Sequence, residues 1–313
     1  MNEFEIIQHF FSKQATHRKD VIIGIGDDAA LVSIPPNKQM VITTDTLVND
    51  VHFPIDAHAF DIGYKALAVN LSDLAAMGAT PAWLTLSLTL PHIDKKWLEE
   101  FSRGFFVLAT EFEAQLIGGD LTKGPLTITI QAQGLVNPGE AILRHTAKPG
   151  DLIYVTNTLG DAAAGLAYLQ HKINLNSLSH EKFLTKLNRP FPQIKMGKQL
   201  VNIATAAIDI SDGLIADLNH ILEKSEVGAE IIVDHIPLSE DLCASMNQMD
   251  ALNFALNGGD DYELCFTVPE NKKNKVPKNC SCIGIITDTK KLDLQFSNGK
   301  KFVLNKMGYQ HFK

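Results

Sequence analysis

The chain has 313 residues, enough for two domains of comparable size that each bury a core. It carries 28 Lys and Arg against 36 Asp and Glu, and this formal charge of −8 disfavours the phosphate backbone of a nucleic acid as a partner. Its four cysteines are too few and too irregularly spaced for a disulfide framework or a zinc ribbon, which predicts reduced thiols. The N-terminus is acidic and no apolar run approaches membrane-spanning length, so we expect a cytoplasmic protein with no membrane partner.

The first half of the chain alternates between apolar strand patterns and helical periodicity. The predicted elements are a helix over residues 3–12, strands over 21–25 and 39–44, a helix over 61–77, a strand over 83–90, a helix over 94–117 and a strand over 126–134. In the opening helix the apolar positions, Phe4 included, are expected to pack. Gly118-Gly119 is expected to end the long helix. This order predicts a mixed α+β half with one sheet and helices on a single face.

The second half repeats this alternation after a turn cluster at Asn137-Pro138-Gly139. The predicted strands cover residues 151–155, 206–210, 229–233, 262–268 and 281–286, and the predicted helices cover 162–169, 181–205, a stretch after Gly213, and 240–249. We therefore predict two domains, residues 1–137 and residues 138–313.

Aspartates recur beside glycines or at the ends of these elements. The six positions are Gly26-Asp27-Asp28, Thr43-Thr44-Asp45, Ser72-Asp73, Gly118-Gly119-Asp120, Asp209-Ile210-Ser211-Asp212-Gly213 and Gly258-Gly259-Asp260-Asp261. A single Asp beside Gly is ordinary turn or helix-cap chemistry, and that interpretation holds for any one of them. Six together favour a site for several hard cations, because magnesium takes one or two carboxylates each and completes its shell with substrate phosphates and water.

Asp73 lies among apolar residues of a predicted helix, so its carboxylate is expected to be largely buried. A buried charge needs a cation or hydrogen bonds to offset its desolvation. Contacts with Asn70 or Ser72 are the alternative to a metal ion.

Several well-known catalytic motifs are missing from the sequence. It contains no Walker A motif, no dinucleotide fingerprint after a strand, no catalytic loop of the protein-kinase type, no Gly-x-Ser-x-Gly elbow and no HExxH pair. These absences exclude the best-known phosphate-binding loops and give zinc hydrolase chemistry no support.

The acidic turns lie within longer blocks that together resemble the thiamine-monophosphate kinase family. The blocks are Gly24-Ile25-Gly26-Asp27-Asp28-Ala29-Ala30, Thr43-Thr44-Asp45 with His52-Phe53, Asn70 to Gly78, Gly118-Gly119-Asp120, Arg144, Asp209 to Gly213, Gly258 to Leu264 and Gly308-Tyr309-Gln310-His311-Phe312. They occur in family order across nearly the whole chain, which makes the resemblance specific.

The resemblance implies a two-domain α+β fold like that of aminoimidazole ribonucleotide synthetase, with a mixed sheet and helices on one face in each domain. It also implies a homodimer formed through N-terminal domains that bind ATP and metal, and C-terminal domains that complete the nucleotide and substrate site. The implied reaction transfers a phosphoryl group from ATP to thiamine monophosphate, giving thiamine diphosphate and ADP.

Site residues follow from the resemblance position by position. The implied magnesium ligands are Asp28, Thr43, Thr44, Asp45, Asp73, Asp120, Asp209 and Asp212, with Asp45, Asp120 and Asp209 central to catalysis. The implied ATP contacts are Gly119, Asp120, Arg144 and Ser211, and the implied substrate contacts are His52, Asp260 and Tyr309. The choice of Asp28 over Asp27 stays open, and Thr43 and Asp260 stand where the family often has Ser and Glu.

Phosphoryl transfer to a phosphate oxygen needs no general base, since that oxygen is already ionised at neutral pH, so positioning and charge neutralisation carry the reaction. The alternatives are another ATP-dependent enzyme of the same fold, a non-catalytic nucleotide- or metal-binding scaffold, and a divalent-cation store. Selenophosphate synthetase is disfavoured because all four cysteines lie beyond residue 240.

Overall fold

The computed structural model describes residues 1–175 and 177–303 of the chain. They group into two compact units, the first formed by Met1–Leu74 with Ala79–Gly139 and the second by Ala75–Gly78 with the described residues from Glu140 onward. Each unit contains a β-sheet and helices packed on it, which confirms the predicted α+β class. The predicted domain bounds and the role assigned to each domain stay predictions.

The chain opens with helix α1 (Glu3–Ile6), which Asn2 caps, followed by a π-helical turn over Ile7–Phe11. The helical prediction is confirmed, but the expected packing of Phe4 is wrong, because this side chain is 79% exposed. Ile6 and Phe11 are buried instead. They are five residues apart, the spacing that a π turn brings to one side of a helix.

The rest of the first unit has six strands and two long helices among its described residues. They are β1 (Val21–Ile23), β2 (Leu31–Val32), β3 (Gln39–Val48), α2 (Ala59–Ala76), β4 (Thr80–Leu90), α3 (Lys95–Glu111), β5 (Gln115–Lys123) and β6 (Thr127–Val136). β1 and β2 form a small antiparallel pair, and the other four strands form a sheet in the order β3-β6-β4-β5. β6 is antiparallel to both of its neighbours, whereas β4 and β5 are parallel.

Side-chain alternation along β4 places leucines on one face of this sheet. Leu84, Leu86, Leu88 and Leu90 are buried, as their period-2 spacing predicts. Helices α2 and α3 cross with their backbones in close approach, because a Cβ on Gly63 would lie 2.1 Å from the carbonyl oxygen of Phe101. The β1–β2 pair contributes Val21 and Val32 to a smaller cluster around the buried Trp83.

The helix predicted over residues 94–117 is too long. Asp94 caps α3, which ends at Glu111, and residues 115–123 form β5. The reversal between them uses Glu113, which adopts a left-handed φ of 52° without a glycine to mark it. Gly118-Gly119 therefore lies inside a strand and does not end a helix.

The second unit contains both strands and α-helices among its described residues. They are β7 (Leu152–Thr156), α4 (Asp161–Leu169), α5 (Ser177–Asn188), α6 (Ile194–Leu200), β8 (Ala206–Asp209), α7 (Leu214–Ser225), β9 (Gly228–Ile232), α8 (Glu240–Ser245), α9 (Gln248–Asn257), β10 (Leu264–Val268), β11 (Cys280–Thr287) and β12 (Leu292–Gln295). The predicted helix over 181–205 is divided at Pro190 and Pro192, because proline lacks the N–H that a helix interior needs. The short strand β12 was not predicted.

The six strands of the second unit form one mixed sheet in the order β12-β9-β11-β7-β10-β8. β10 is antiparallel to both β7 and β8, so the C-terminal ends of β7 and β8 and the start of β10 meet at the same end of the sheet. The core beneath them is aliphatic and includes Ile153, Ile208, Leu218 and Ile231. This arrangement brings together two of the predicted site segments, residues 209–213 and residues 258–264.

The four cysteines of the chain all lie in the described part and are free thiols. In the same part of the chain no helix combines the length and apolar character needed to cross a membrane.

Candidate functional site

Strand β3 and helix α2 bring three predicted ligands together in the first unit. Alternation along β3 puts Thr43 and Asp45 on the same face as the buried Val41 and Leu47, toward the helices. The Thr43 hydroxyl donates a hydrogen bond to Oδ2 of Asp73 on α2. Three oxygen-bearing side chains thus meet on the helix-covered side of the sheet.

Asn70, one turn before Asp73, fixes the strand at this point. Its Oδ1 accepts the backbone N–H of Asp45 at 3.1 Å, and its Nδ2 donates to the carbonyl oxygen of Ala66 at 3.0 Å. Asn70 is fully buried, so both bonds are shielded from water. It therefore positions Asp45, a role that the sequence analysis did not assign.

The electrostatics of this group favour a cation. Burial, and then repulsion from the Asp73 carboxylate, raise the pKa of Asp45 to about 6. Asp73 itself is half-buried, not largely buried as predicted, and it accepts a hydrogen bond from the Thr43 hydroxyl. Two carboxylates that repel each other beside a hydroxyl form an all-oxygen donor set of the kind that magnesium prefers.

Thr44 and Asp120 lie on the other face of this sheet. Thr44 alternates with Thr43 and is exposed. Asp120 on β5 pairs with Ser87 on β4, and Ser87 pairs with Thr129 on β6. The side chains of these three residues lie on the face of the sheet opposite to that of Asp45. The structure therefore does not bring all of the predicted metal ligands of the first unit together.

A cavity of about 730 Å³ lies beside β5. It is lined by the N-terminal helical turns, the loop of residues 24–30 and residues 116–121 of β5. Asp27 and Asp28 are in its lining, and the Asp27 carboxylate accepts the backbone N–H of Asp28 at 2.8 Å. A Cβ on Gly119 would lie 1.8 Å from the carbonyl oxygen of Leu86, so only glycine fits there, while a Cβ on Gly118 would meet no atom within 4 Å.

His52 follows β3 in the first unit. Its Nδ1 accepts the backbone N–H of Val48 at 3.0 Å, so in the neutral ring the proton is on Nε2. The side chain is half-buried. His52 can thus donate a hydrogen bond through Nε2.

In the second unit, the loops at residues 209–213 and 258–263 pair through their backbones. The amides of Asp260 and Tyr262 donate to the carbonyl oxygens of Ser211 and Ile210, each at 2.8 Å, and the Ile210 amide donates to Glu263 at 2.7 Å. A Cβ on Gly259 would lie 2.5 Å from the Ser211 carbonyl oxygen, so the close approach of the two loops requires glycine. Asp209, Ser211, Asp212 and Asp260 thereby belong to one paired structure.

Asp217 supports this pair of loops from the first turn of α7. Its Oδ2 accepts the backbone N–H groups of Ser211, Asp212 and Gly213 at 3.0, 3.0 and 3.1 Å. Burial raises the pKa of Asp217 to about 7, although these backbone hydrogen bonds lower it. The sequence signal was an aspartate one turn into the helix that follows Gly213.

Three further carboxylates that the sequence analysis left unassigned lie at this end of the sheet. Asp261 accepts the backbone N–H of Gly160 at 3.1 and 3.0 Å, and Asp161 accepts the Ser239 hydroxyl at 2.6 Å. Burial raises the pKa of Asp161 and raises the pKa of Asp261 well above its ordinary range. Burial likewise raises the pKa of Glu263 to about 7, against the lowering effect of its hydrogen bonds.

No group of three or more His, Cys, Asp or Glu side chains in the described residues is arranged to hold a metal ion. The carboxylates of the predicted metal set are instead divided between the units, with Asp209 and Asp212 in the second. Sites with one or two carboxylates fit magnesium when phosphate oxygens complete the shell. The donor chemistry therefore fits Mg²⁺ held together with a phosphorylated ligand.

Two predicted contacts lie apart from these groups or beyond the described residues. The Arg144 side chain is exposed, while its carbonyl oxygen accepts the Ser225 hydroxyl at 3.0 Å. Tyr309 lies outside the described residues.

Two family domains match the chain. Residues 26–136 match the AIR synthase related protein N-terminal domain, and residues 148–297 match the corresponding C-terminal domain. Together they cover most of the chain and both sets of site residues described above.

Individual relatives share both sequence and fold with the chain. It is 48% identical to the thiamine-monophosphate kinase of Buchnera aphidicola subsp. Schizaphis graminum (strain Sg), over 99% of both chains. The crystal structure of the thiamine-monophosphate kinase from Stenotrophomonas maltophilia K279a aligns with a TM-score of 0.84 at 44% identity, covering 91% of this chain and 93% of that one. AaThiL, solved in complex with AMPPCP and TMP, aligns with a TM-score of 0.80 at 32% identity, covering 92% of each chain. The chain therefore belongs to the thiamine-monophosphate kinase family, among the AIR synthase related proteins.

Proposed function

We propose that this protein transfers the γ-phosphate of ATP directly to thiamine monophosphate, giving thiamine diphosphate and ADP. The observation that carries the proposal is the sequence identity of 44–48% that the chain shares, over nearly its whole length, with thiamine-monophosphate kinases. AaThiL adds support, because it was solved with AMPPCP, an ATP analogue, together with TMP, thiamine monophosphate.

In the proposed reaction an oxygen of the acceptor phosphate attacks the γ-phosphorus of ATP. The bond from that phosphorus to the β–γ bridging oxygen breaks, and ADP leaves with the electron pair. The attacking oxygen is already ionised near pH 7, so no side chain has to remove a proton. What the protein must supply is alignment of two anionic reactants and compensation of their mutual repulsion.

We infer that several Mg²⁺ ions are bound with the nucleotide. Bound Mg²⁺ would neutralise the charge that spreads over the phosphate oxygens during transfer. The residues proposed to hold these ions are Asp28, Thr43, Thr44, Asp45, Asp73, Asp120, Asp209 and Asp212. The hydrogen bond between Thr43 and Asp73 and the raised pKa of Asp45 support three members of this set, Thr43, Asp45 and Asp73.

The proposed nucleotide contacts are Gly119, Asp120, Arg144 and Ser211. The cavity beside β5 supports Gly119 and Asp120, because both line it and the adjoining Gly118 leaves the backbone open to a phosphate. Arg144 is exposed, so its guanidinium is available for a bidentate bond to phosphate oxygens.

The proposed substrate contacts are His52, Asp260 and Tyr309. His52 is suited to donate from Nε2 to the acceptor phosphate, because its Nδ1 already accepts a backbone amide. Asp260 is held by the backbone pairing of its loop and carries the negative charge that a thiazolium ring would attract. Tyr309 is proposed to stack on an aromatic ring of thiamine.

The domain roles, the oligomeric state and the location of the protein belong to the same proposal. Residues 1–137 would bind ATP and metal and form the homodimer, and residues 138–313 would complete the site. Exposed apolar side chains support an interface on the first unit, among them Ile22, Leu31 and Ile42 at 61, 50 and 52% exposure. We also propose that the protein acts in the cytoplasm.

The test is an assay of thiamine diphosphate formation, separated by chromatography, with purified protein, ATP, Mg²⁺ and thiamine monophosphate. Controls omit the acceptor or Mg²⁺, and protein carrying Asp45→Asn, purified in the same way, measures any contaminating kinase. Product that depends on acceptor, Mg²⁺ and Asp45 supports the proposal. Folded protein that binds ATP and forms no thiamine diphosphate would favour a sister enzyme of the fold or a scaffold, and metal binding that does not respond to nucleotide would favour a cation store.

A further inference from the structure

The Asp217 side chain joins the loop of residues 211–213 to helix α7. Three consecutive backbone amides, those of Ser211, Asp212 and Gly213, donate to the same oxygen of Asp217 within 3.0–3.1 Å. Asp217 is 3% exposed, so its hydrogen bonds are shielded from water. A carboxylate that accepts several backbone N–H groups fixes the backbone dihedrals between them.

This arrangement determines which atoms the loop can offer to a ligand. The three amides point inward at Asp217, so they are not available to bind a phosphate as a backbone nest would. On its other side, the carbonyl oxygen of Ser211 is taken by the amide of Asp260. A ligand at these positions would therefore meet side-chain oxygens, such as those of Asp212 and Ser211, and not the three backbone amides.

The left-handed backbone of Gly213 shows how tightly the loop is held. Its φ is +116°, and a Cβ there would lie 2.9 Å from the carbonyl carbon of Asn257. Gly213 has no side chain with which to cap α7, and Asp217, four residues later, accepts the amides that precede the helix instead. The loop conformation thus depends on a residue that lies outside the loop.

We propose that Asp217 is a positioning residue for the reaction: it holds residues 211–213 in the conformation that presents the Asp212 carboxylate to Mg²⁺. Asp217 acts through the loop and does not touch the substrates. This inference rests on the proposed function, which assigns Asp209 and Asp212 to the metal site.

The experiment compares Asp217→Ala, which removes the acceptor, with Asp217→Asn, which keeps one acceptor oxygen. The matched control is Asp151→Ala, because Asp151 is 4% exposed and accepts the Lys148 amide at 3.0 Å and the Thr205 hydroxyl at 2.6 Å, in the same unit. The measurements are Mn²⁺ binding by EPR in the presence of AMPPCP, the Mg²⁺ concentration that gives half-maximal activity, the KM for thiamine monophosphate, and thermal unfolding.

We expect Asp217→Ala to weaken Mn²⁺ binding and to raise the half-saturating Mg²⁺ concentration by about tenfold or more, the usual effect of losing an outer-shell partner. The KM for thiamine monophosphate should stay within about twofold, because Asp217 orients metal ligands and not this substrate. Asp217→Asn should give a smaller change in the same direction. Asp151→Ala should lower only the unfolding temperature.

Wild-type metal binding by folded Asp217→Ala protein would overturn the inference, as would an equal effect of Asp151→Ala. If Asp217→Ala does not fold, Asp217→Asn decides, and unaltered Mn²⁺ binding by that variant would overturn the inference. A wild-type protein that forms no thiamine diphosphate would refute the proposed function, whereas the comparison of Mn²⁺ binding would still test Asp217.

Discussion

Replacing Glu263 by Gln should change how the stability of the second unit depends on pH. Glu263 is 4% exposed, and its Oε2 accepts the Thr156 hydroxyl at 2.5 Å and the Asn157 side-chain amide at 2.8 Å. Burial raises the pKa of Glu263 to about 7, from 4.5, despite these two hydrogen bonds and the attraction of Lys186. The folded protein therefore binds a proton at this site more tightly than the unfolded chain does.

The direction of the effect follows from proton linkage. Below pH 4.5 both states hold the proton, so the carboxyl group carries no penalty. Between 4.5 and about 7 the unfolded chain releases its proton while the folded protein retains it, and the free energy of unfolding falls as the pH rises. Above about 7 the penalty is constant, and the interval between the two pKa values corresponds to about 3 kcal/mol.

Gln does not ionise, and its oxygen can accept the same two hydrogen bonds. Between pH 5 and pH 8 the variant should gain about 2.5 kcal/mol in free energy of unfolding relative to wild type, because part of the penalty is already present at pH 5. Urea unfolding followed by far-UV circular dichroism measures this difference. Tryptophan fluorescence is unsuitable, because both tryptophans, Trp83 and Trp97, lie in the first unit.

The control is Glu181→Gln, because Glu181 is exposed on α5 and its substitution should change stability by no more than about 0.5 kcal/mol at any pH. If wild type and Glu263→Gln differ by a constant amount from pH 5 to pH 8, Glu263 has an ordinary pKa in the folded protein and the reasoning fails.

Two further predictions concern the first unit. Asp45→Asn should reduce metal-dependent product formation by more than the roughly 10–100-fold typical of an outer-shell change. Without Mg²⁺ at pH 8 it should raise stability by about 1–2 kcal/mol, because it removes a carboxylate that is disfavoured first by burial and then by repulsion from Asp73. Activity assays and metal-free thermal unfolding test both parts, and a variant that is less stable without metal would contradict the second. Gly119→Ala should destabilise the protein by about 3 kcal/mol or more, because its Cβ would lie 1.8 Å from the Leu86 carbonyl oxygen, whereas Gly118→Ala should cost less than about 0.5 kcal/mol. Chemical denaturation compares the two, and equal losses would mean that the close approach of β5 to β4 relaxes freely.

Sequence periodicity was sufficient to predict a helix or strand where one face of that element is buried. The leucines of β4 alternate cleanly, so that strand could be predicted. Residues 112–114 contain neither Gly nor Pro, and the left-handed turn at Glu113 leaves no mark in the sequence, so the predicted helix ran through α3 into the first three residues of β5. The π turn after α1 was not predicted either, and Phe4, which was expected to pack, is exposed while Ile6 and Phe11 are buried.

The site was predictable as a set of motifs, but its geometry was not. Apolar neighbours suggested that Asp73 is buried, yet burial depends on what faces the helix, and Thr43 faces it here. Because side chains alternate along a strand, Thr44 and Asp45 must lie on opposite faces of the sheet, and this could have been predicted from the sequence. Asp217 was missed because the sequence shows only an aspartate one turn into the helix after Gly213, and does not show that its partners are backbone amides.

The strand order of the first unit also has a consequence for biosynthesis. β6 is the last strand of its sheet in the sequence, yet it lies between β3 and β4, which do not pair with each other. Gln39 pairs with Val136, so almost a hundred further residues are synthesised before the partner of Gln39 exists. Because translation adds only about 5–20 residues per second, β3 has no strand partner within this sheet for several seconds on the ribosome. Such non-local pairing slows folding, and the nascent first half is therefore a candidate client for chaperones that shield unpaired strands until residue 136 has emerged.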